Sequence, residues 1–170
     1  MKIVLIALGC LILLIVVVVL VGAMLPRQHV ASRSAAFETS PERLFAFVDG
    51  PQTWRSGVAK YEVVTEQGHA KRWRETDRRG ETITYEAVDR RPPSLLKTQI
   101  VTKNLPYSGT WTIALDGRDG TTVVRVTEEG EVYNPLFRFV SRFVIGHASS
   151  IESYLHDLGK AAGQNVRIEG

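Results

Sequence analysis

The chain has 170 residues, 44% of them hydrophobic and 23% charged, which is enough apolar material for one domain with a sizeable core. All but one of the Lys and Arg follow the first 25 residues, leaving the remainder near +2, an imbalance too small to imply nucleic-acid binding. Cys10 is the sole cysteine, so no intramolecular disulfide forms and cysteine usage is silent on the redox compartment.

Ile3 to Leu25 carries no charge and would span roughly 35 Å as a helix, sufficient to cross a hydrocarbon core. Pro26 ends the run and Arg27 starts a polar flank. A cleaved signal peptide competes with an anchor here, and Val21-Gly22-Ala23 offers small residues near a cut, but the apolar stretch exceeds the usual signal length. The expectation is a transmembrane anchor over residues 1–26, a linker over 27–33, a folded domain over 34–163 and a tail over 164–170. Lys2 and the terminal amine favour a cytoplasmic N-terminus while Arg27 and Arg33 oppose it. Because long domains translocate largely regardless of such charges, the domain is expected on the extracytoplasmic side.

A strand is expected at about Val30–Glu38, followed by Ser40-Pro41-Glu42, an N-cap, a first-turn proline and an acid at the positive end of a helix. Leu44, Phe45 and Val48 form its apolar face, Asp49-Gly50 stops it, and Pro51 to Trp54 suits a further helical turn. From Val58 the period becomes two, with strands near Ala59–Glu66, Lys71–Asp77, Thr82–Arg90, Leu95–Thr102, Ser108–Leu115 and Thr122–Val132. Gly- and Pro-containing turns punctuate them at short spacing, so an antiparallel meander is the natural arrangement. Asn134-Pro135 then opens a stretch whose apolar residues recur every three or four positions from Phe137 through Val140, Val144, Ile151, Leu155 and Leu158 to Ala162. One long helix over 134–162, capped by Gly163, is the expected reading.

This order resembles the START-like, or SRPBCC, superfamily, and its polyketide cyclase/dehydrase-type members most of all. The similarity rests on Ser40-Pro41-Glu42, Leu44-Phe45-Ala46-Phe47-Val48-Asp49, Trp54, Gly120-Thr121 and the terminal helix from Pro135. It implies an α+β helix-grip fold, with about seven antiparallel strands curved around a long C-terminal helix. It also implies a cavity between sheet and helix for a lipid or other small hydrophobic molecule, and no universal catalytic residue. Some such proteins are enzymes, so a cyclase, dehydratase or hydrolase using the cavity stands as the alternative. A protein-interaction module with a collapsed cavity is the third.

The expected pocket residues are Trp54, Trp73, Tyr85 and Trp111 from the early turn and the strands, and Phe137, Phe143, His147 and Ile151 from the helix. Alternation places Trp73 with Glu75, Tyr85 with Ile83, and Trp111 with Ile113 on single sheet faces, where each aromatic either lines a cavity or fills the core.

No Walker loop, dinucleotide-binding glycine pattern, nucleophile elbow or metal-ligand spacing is present, and no cofactor is expected. His29 is expected in the linker and His69 in a turn, neither placed for catalysis, whereas His147 beside the stripe is a candidate proton donor or acceptor, or else a packed histidine. Glu152 and His156, four apart, read as a helix-surface pair. Glu75 and Glu86, on opposite faces, are solvated strand carboxylates by default, or candidates for a general acid or base if buried in the cavity. Lys71-Arg72-Trp73-Arg74, Arg78-Arg79 and Arg90-Arg91 suit either a charged outer sheet face or attraction to anionic lipid head groups. Leu136 to Ile145 is apolar on more than one face, consistent with a core-packed helix start or a membrane-facing entrance, and Gly146 after it is a point at which the helix can loosen. The expected contacts are a lipid or other small hydrophobic molecule and, through residues 3–25, a membrane, with no nucleic acid; a protein partner is left open.

Overall fold

The computed structural model describes residues 2–68 and 70–170; His69, expected in a turn, lies outside them. Helix α1 (Lys2–Met24) has 23 residues and is long and apolar enough to cross a membrane. It is followed by β1 (Gln28–Phe37), α2 (Pro41–Asp49), a 3-10 turn (Gln52–Trp54) and the strands β2 (Val58–Gln67), β3 (Ala70–Asp77) and β4 (Thr82–Arg91). The remainder comprises β5 (Leu95–Ile100), β6 (Tyr107–Arg118), β7 (Thr121–Val132), α3 (Pro135–Val140), a π-helical turn (Ser141–Ile145), α4 (Ser149–Ala161) and β8 (Ile168–Glu169).

The strands form one antiparallel sheet in the order β2-β3-β4-β5-β6-β7-β1-β8. The meander arises because each pair is joined by a short connection, and β1 returns beside β7 along a full ladder from Gln28↔Glu131 to Phe37↔Thr122. Register shifts between Val58 and Lys60, Val63 and Thr65, and Ala87 and Asp89 are bulges that add bend and twist to the sheet. The concave face meets α2 and α4. Phe37, Leu44, Val48, Val124, Val126, Ile151, Leu155 and Leu158 form a fully buried centre there. Ser40 caps α2 by accepting from the Arg43 N–H at 3.5 Å, and Asn134 caps α3 by accepting from Leu136 N–H at 2.9 Å.

Three expectations about the chain's course are corrected. Strand β1 begins at Gln28 and takes up nearly the whole expected linker. The expected tail contributes β8, whose Ile168 pairs with Ala35, and buries Val166. The expected single helix over 134–162 is interrupted: α3 widens into a π turn, Gly146 takes φ +82, and α4 starts anew at Ser149. Residues with a Cβ adopt that φ only at a steric cost, so glycine eases the break. The apolar spacing survives because the two halves serve different neighbours, α1 and the cavity for α3, the sheet for α4.

Candidate ligand cavity

A cavity of about 460 Å3 lies between the concave sheet and the C-terminal segment, in the range of small-molecule sites. Its walls come from alternate residues of the strands, because successive side chains of a strand point to opposite faces. Strand β3 sends Lys71, Trp73 and Glu75 inward and Arg72 and Arg74 outward. Trp73 stacks on its cross-strand partner Tyr85, with ring centroids 5.8 Å apart, and on Tyr61 at 6.3 Å. Trp111 meets Tyr154 of α4 edge-on at 5.6 Å. Ile83, Leu96, Ile100 and Ile113 supply aliphatic wall, and Phe137 and Val140 of α3 complete it.

Among the polar groups in these walls are two clusters. At one, Glu75 is 7% exposed, accepts from Trp73 Nε1 at 2.9 Å, and pairs with Arg55 Nη1 at 2.8 Å. The Arg55 guanidinium also stands 5.4 Å from the Tyr154 ring. Burial, and secondarily Glu75, raises the Tyr154 phenol above its ordinary range while Arg55 opposes this, so it stays protonated. Its hydroxyl is buried and finds no hydrogen-bond partner among the described residues. At the other, Glu128 accepts from Trp111 Nε1 at 2.8 Å and Ser150 Oγ at 3.1 Å, and pairs with His29 Nε2 at 3.2 Å. The His29 ring stacks on His147 at 4.1 Å. Burial, then the neighbouring His29 and Arg142, lower the His147 pKa, with Glu128 opposing. Gly130, opposite His29 in the ladder, leaves room for the imidazole, which a Cβ there would displace.

The sequence matches the family described as polyketide cyclase / dehydrase and lipid transport over residues 28–162. The chain belongs to this family. No curated protein sequence matches the chain. Among solved structures, a conserved protein from Geobacillus kaustophilus is similar at 16% identity and TM-score 0.63, covering 84% of this chain and all of the other. Norcoclaurine synthase from Thalictrum flavum, in complex with dopamine and hydroxybenzaldehyde, is similar at 16% identity and TM-score 0.58, covering 79% of this chain and 86% of that one. TTHA0849 from Thermus thermophilus is similar at 19% identity and TM-score 0.59, covering 79% and 96% respectively. At such identities the likeness is one of fold, and the helix-grip fold of the family is the one found.

Of the family-inspired pocket residues, Trp73, Tyr85, Trp111, Phe137 and His147 come together around this cavity. The other three stand elsewhere. Trp54 packs on Tyr154 from outside the cavity and donates to the Phe47 carbonyl at 3.1 Å. Phe143 is 59% exposed against Phe139, and Ile151 is fully buried in the core.

Several polar residues are corrected. His29 lies in β1 on the cavity wall, not in a linker. Glu75 is buried and paired, whereas Glu86 faces out and pairs with Arg72 at 2.8 Å. Glu152 pairs with Arg33 at 2.9 Å instead of His156. Lys71 and Arg90, expected on an outer charged face, turn to Asp49 at the end of α2; Lys71 donates to its carbonyl, and Arg90 contacts its carboxylate at 2.5 Å. Sequence reasoning missed these because each depends on a partner from a distant element. The signal for His29 was Gly130, a glycine inside a strand.

Proposed function

We propose that this chain is a membrane-tethered domain that holds one small apolar or amphiphilic molecule in the cavity between sheet and C-terminal helices. The cavity itself carries the reading: about 460 Å3 of space whose exposed lining is mostly apolar, walled by Trp73, Tyr85, Trp111 and aliphatic side chains. The unpartnered Tyr154 hydroxyl suits a ligand with one hydrogen-bonding group. The family's association with lipid transport, and the complex of the similarly folded norcoclaurine synthase with dopamine and hydroxybenzaldehyde, support a small-molecule site without naming this chain's ligand. A helix of α1's length and hydropathy supports a tether. Lys2 at its start favours a domain outside the cytoplasm, Arg27 and Arg33 beyond its end oppose this, and the tendency of long domains to translocate regardless of such charges supports the outside placement.

Titration of the full chain in detergent with 1-anilinonaphthalene-8-sulfonate tests the site. Saturable fluorescence is expected, with affinity lowered about tenfold by Trp111→Ala, the usual cost of removing a central aromatic anchor. Unsaturable or variant-independent fluorescence would contradict it. A second reading, acid–base catalysis on an apolar substrate, is favoured by His29 held against Glu128 on the cavity wall. It predicts that His29→Gln abolishes turnover of a bound substrate while leaving its binding intact; unchanged turnover would exclude it.

A further inference from the structure

The end of α1 is built into the folded domain beside the cavity. Gly22 is buried against the Pro135 backbone, where any Cβ would collide with the carbonyl. Arg138, only 7% exposed, donates from Nη1 to the Leu25 carbonyl at 2.9 Å and to that of Ala23 at 3.4 Å. These are carbonyls that a helix end leaves without intrahelical partners, so Arg138 serves as a side-chain cap on α1. The Val132 N–H donates to the Arg27 carbonyl at 2.9 Å, fixing the exit of α1 to the end of β7.

The α3–π-turn segment that grips α1 has two faces. Its inner side, Phe137, Val140, Ser141 and Gly146, lines the cavity. Its outer side leaves Phe143 59% and Val144 71% exposed, and Phe137, half exposed, belongs to both faces. Arg142 is exposed between the apolar groups, and Arg27 at the exit of α1.

We propose that this segment rests on the bilayer surface, so that the mouth of the cavity opens at the lipid interface and an amphiphile enters laterally from the membrane. The inference rests on the tether and ligand readings above. The occupant of the apolar face follows from continuity: the face is joined through Gly22 and Arg138 to a helix of membrane-spanning length, which brings it to the depth where that helix leaves the hydrocarbon. Interfacial segments bury apolar side chains there while arginines reach the phosphates. The π turn, closed by the Gly146 N–H on the Ser141 carbonyl at 3.0 Å, and Gly146 at φ +82 interrupt the regular helix in this wall.

The test uses the full chain with Cys10→Ser in phosphatidylcholine–phosphatidylglycerol vesicles, carrying an environment-sensitive fluorophore on Val144→Cys or on Arg118→Cys. Arg118 lies at the opposite end of β6, roughly 36 Å from the mouth at about 3.3 Å per strand residue. Lipids brominated on their acyl chains are expected to quench the label at 144 several-fold more than the label at 118. Equal quenching overturns the proposal, even if the cavity binds ligand. Gly22→Leu keeps α1 apolar but removes its seat on Pro135, and Arg138→Gln removes the cap without adding bulk. Each is expected to reduce quenching at 144 and to slow uptake of an anthroyloxy-labelled fatty acid from vesicles several-fold, while uptake of water-soluble 1-anilinonaphthalene-8-sulfonate is unchanged. Equal slowing of both probes overturns lateral entry. Selective quenching at 144 with neither probe bound would leave the docked surface standing and remove the ligand reading instead.

Discussion

Asp157 shows how single side chains tie the small helical turn to α4. Its Oδ2 accepts from the Ser56 N–H at 2.7 Å and the Ser56 hydroxyl at 2.6 Å, with little solvent access. Burial raises its pKa, but the Ser56 hydrogen bonds and Lys160 outweigh burial and leave it below the ordinary carboxylate value. Asp157→Ala removes two charge-assisted bonds and strands a backbone donor, so a loss of about 1.5–3 kcal/mol is expected from denaturant unfolding. His147 has the opposite chemistry and the same direction of shift. Its folded pKa is below the ordinary value of 6.5, so its contribution is complete above about that pH and is lost as pH falls through the lowered folded value. Protonation would place a cation against the stacked His29 ring and near Arg142, with Glu128 the compensating charge. Below pH 6.5 the unfolding midpoint of the native chain should therefore fall more steeply than that of His147→Gln; parallel curves would refute this coupling.

At the scale of elements, the interruption of the C-terminal helix matters most. If residues 134–162 were one helix, Gly146→Ala would stabilise it by about 1 kcal/mol through helix propensity. With Gly146 at φ +82, the same change is expected to destabilise by about 1–3 kcal/mol, so the sign of the change in unfolding free energy decides between the two geometries. The strands were far more legible. Period-two alternation found Trp73, Tyr85 and Trp111 on inward faces, and the turns at Gly68, Gly80 and Gly120 all take positive φ. The helical stripe was ambiguous because spacing of three and four persists across a break when each half still has an apolar neighbour. Inward charges were illegible for a related reason. Glu75, Lys71 and Glu128 resemble solvated strand residues until Arg55, Asp49 and Trp111, from other elements, are seen to neutralise or hydrogen-bond them.

Across the whole molecule, the sheet curves around α4 without α3 closing the space beside it, and the residual volume is the cavity. Its aromatic wall was foreseeable from alternation, whereas the histidine–glutamate cluster required β1 to begin before the expected boundary and to lie beside β7. The same early start brings the end of α1 against α3, so the apolar helix, the exposed phenylalanines and the cavity belong to one end of the protein. The most direct test of the cavity's role is native mass spectrometry of the full chain, gently released from detergent after exposure to a membrane extract, with organic extraction of anything bound. The account predicts a stoichiometric apolar adduct that disappears in Trp111→Ala and Tyr85→Ala. A clean unliganded mass for the native chain after that exposure would contradict it.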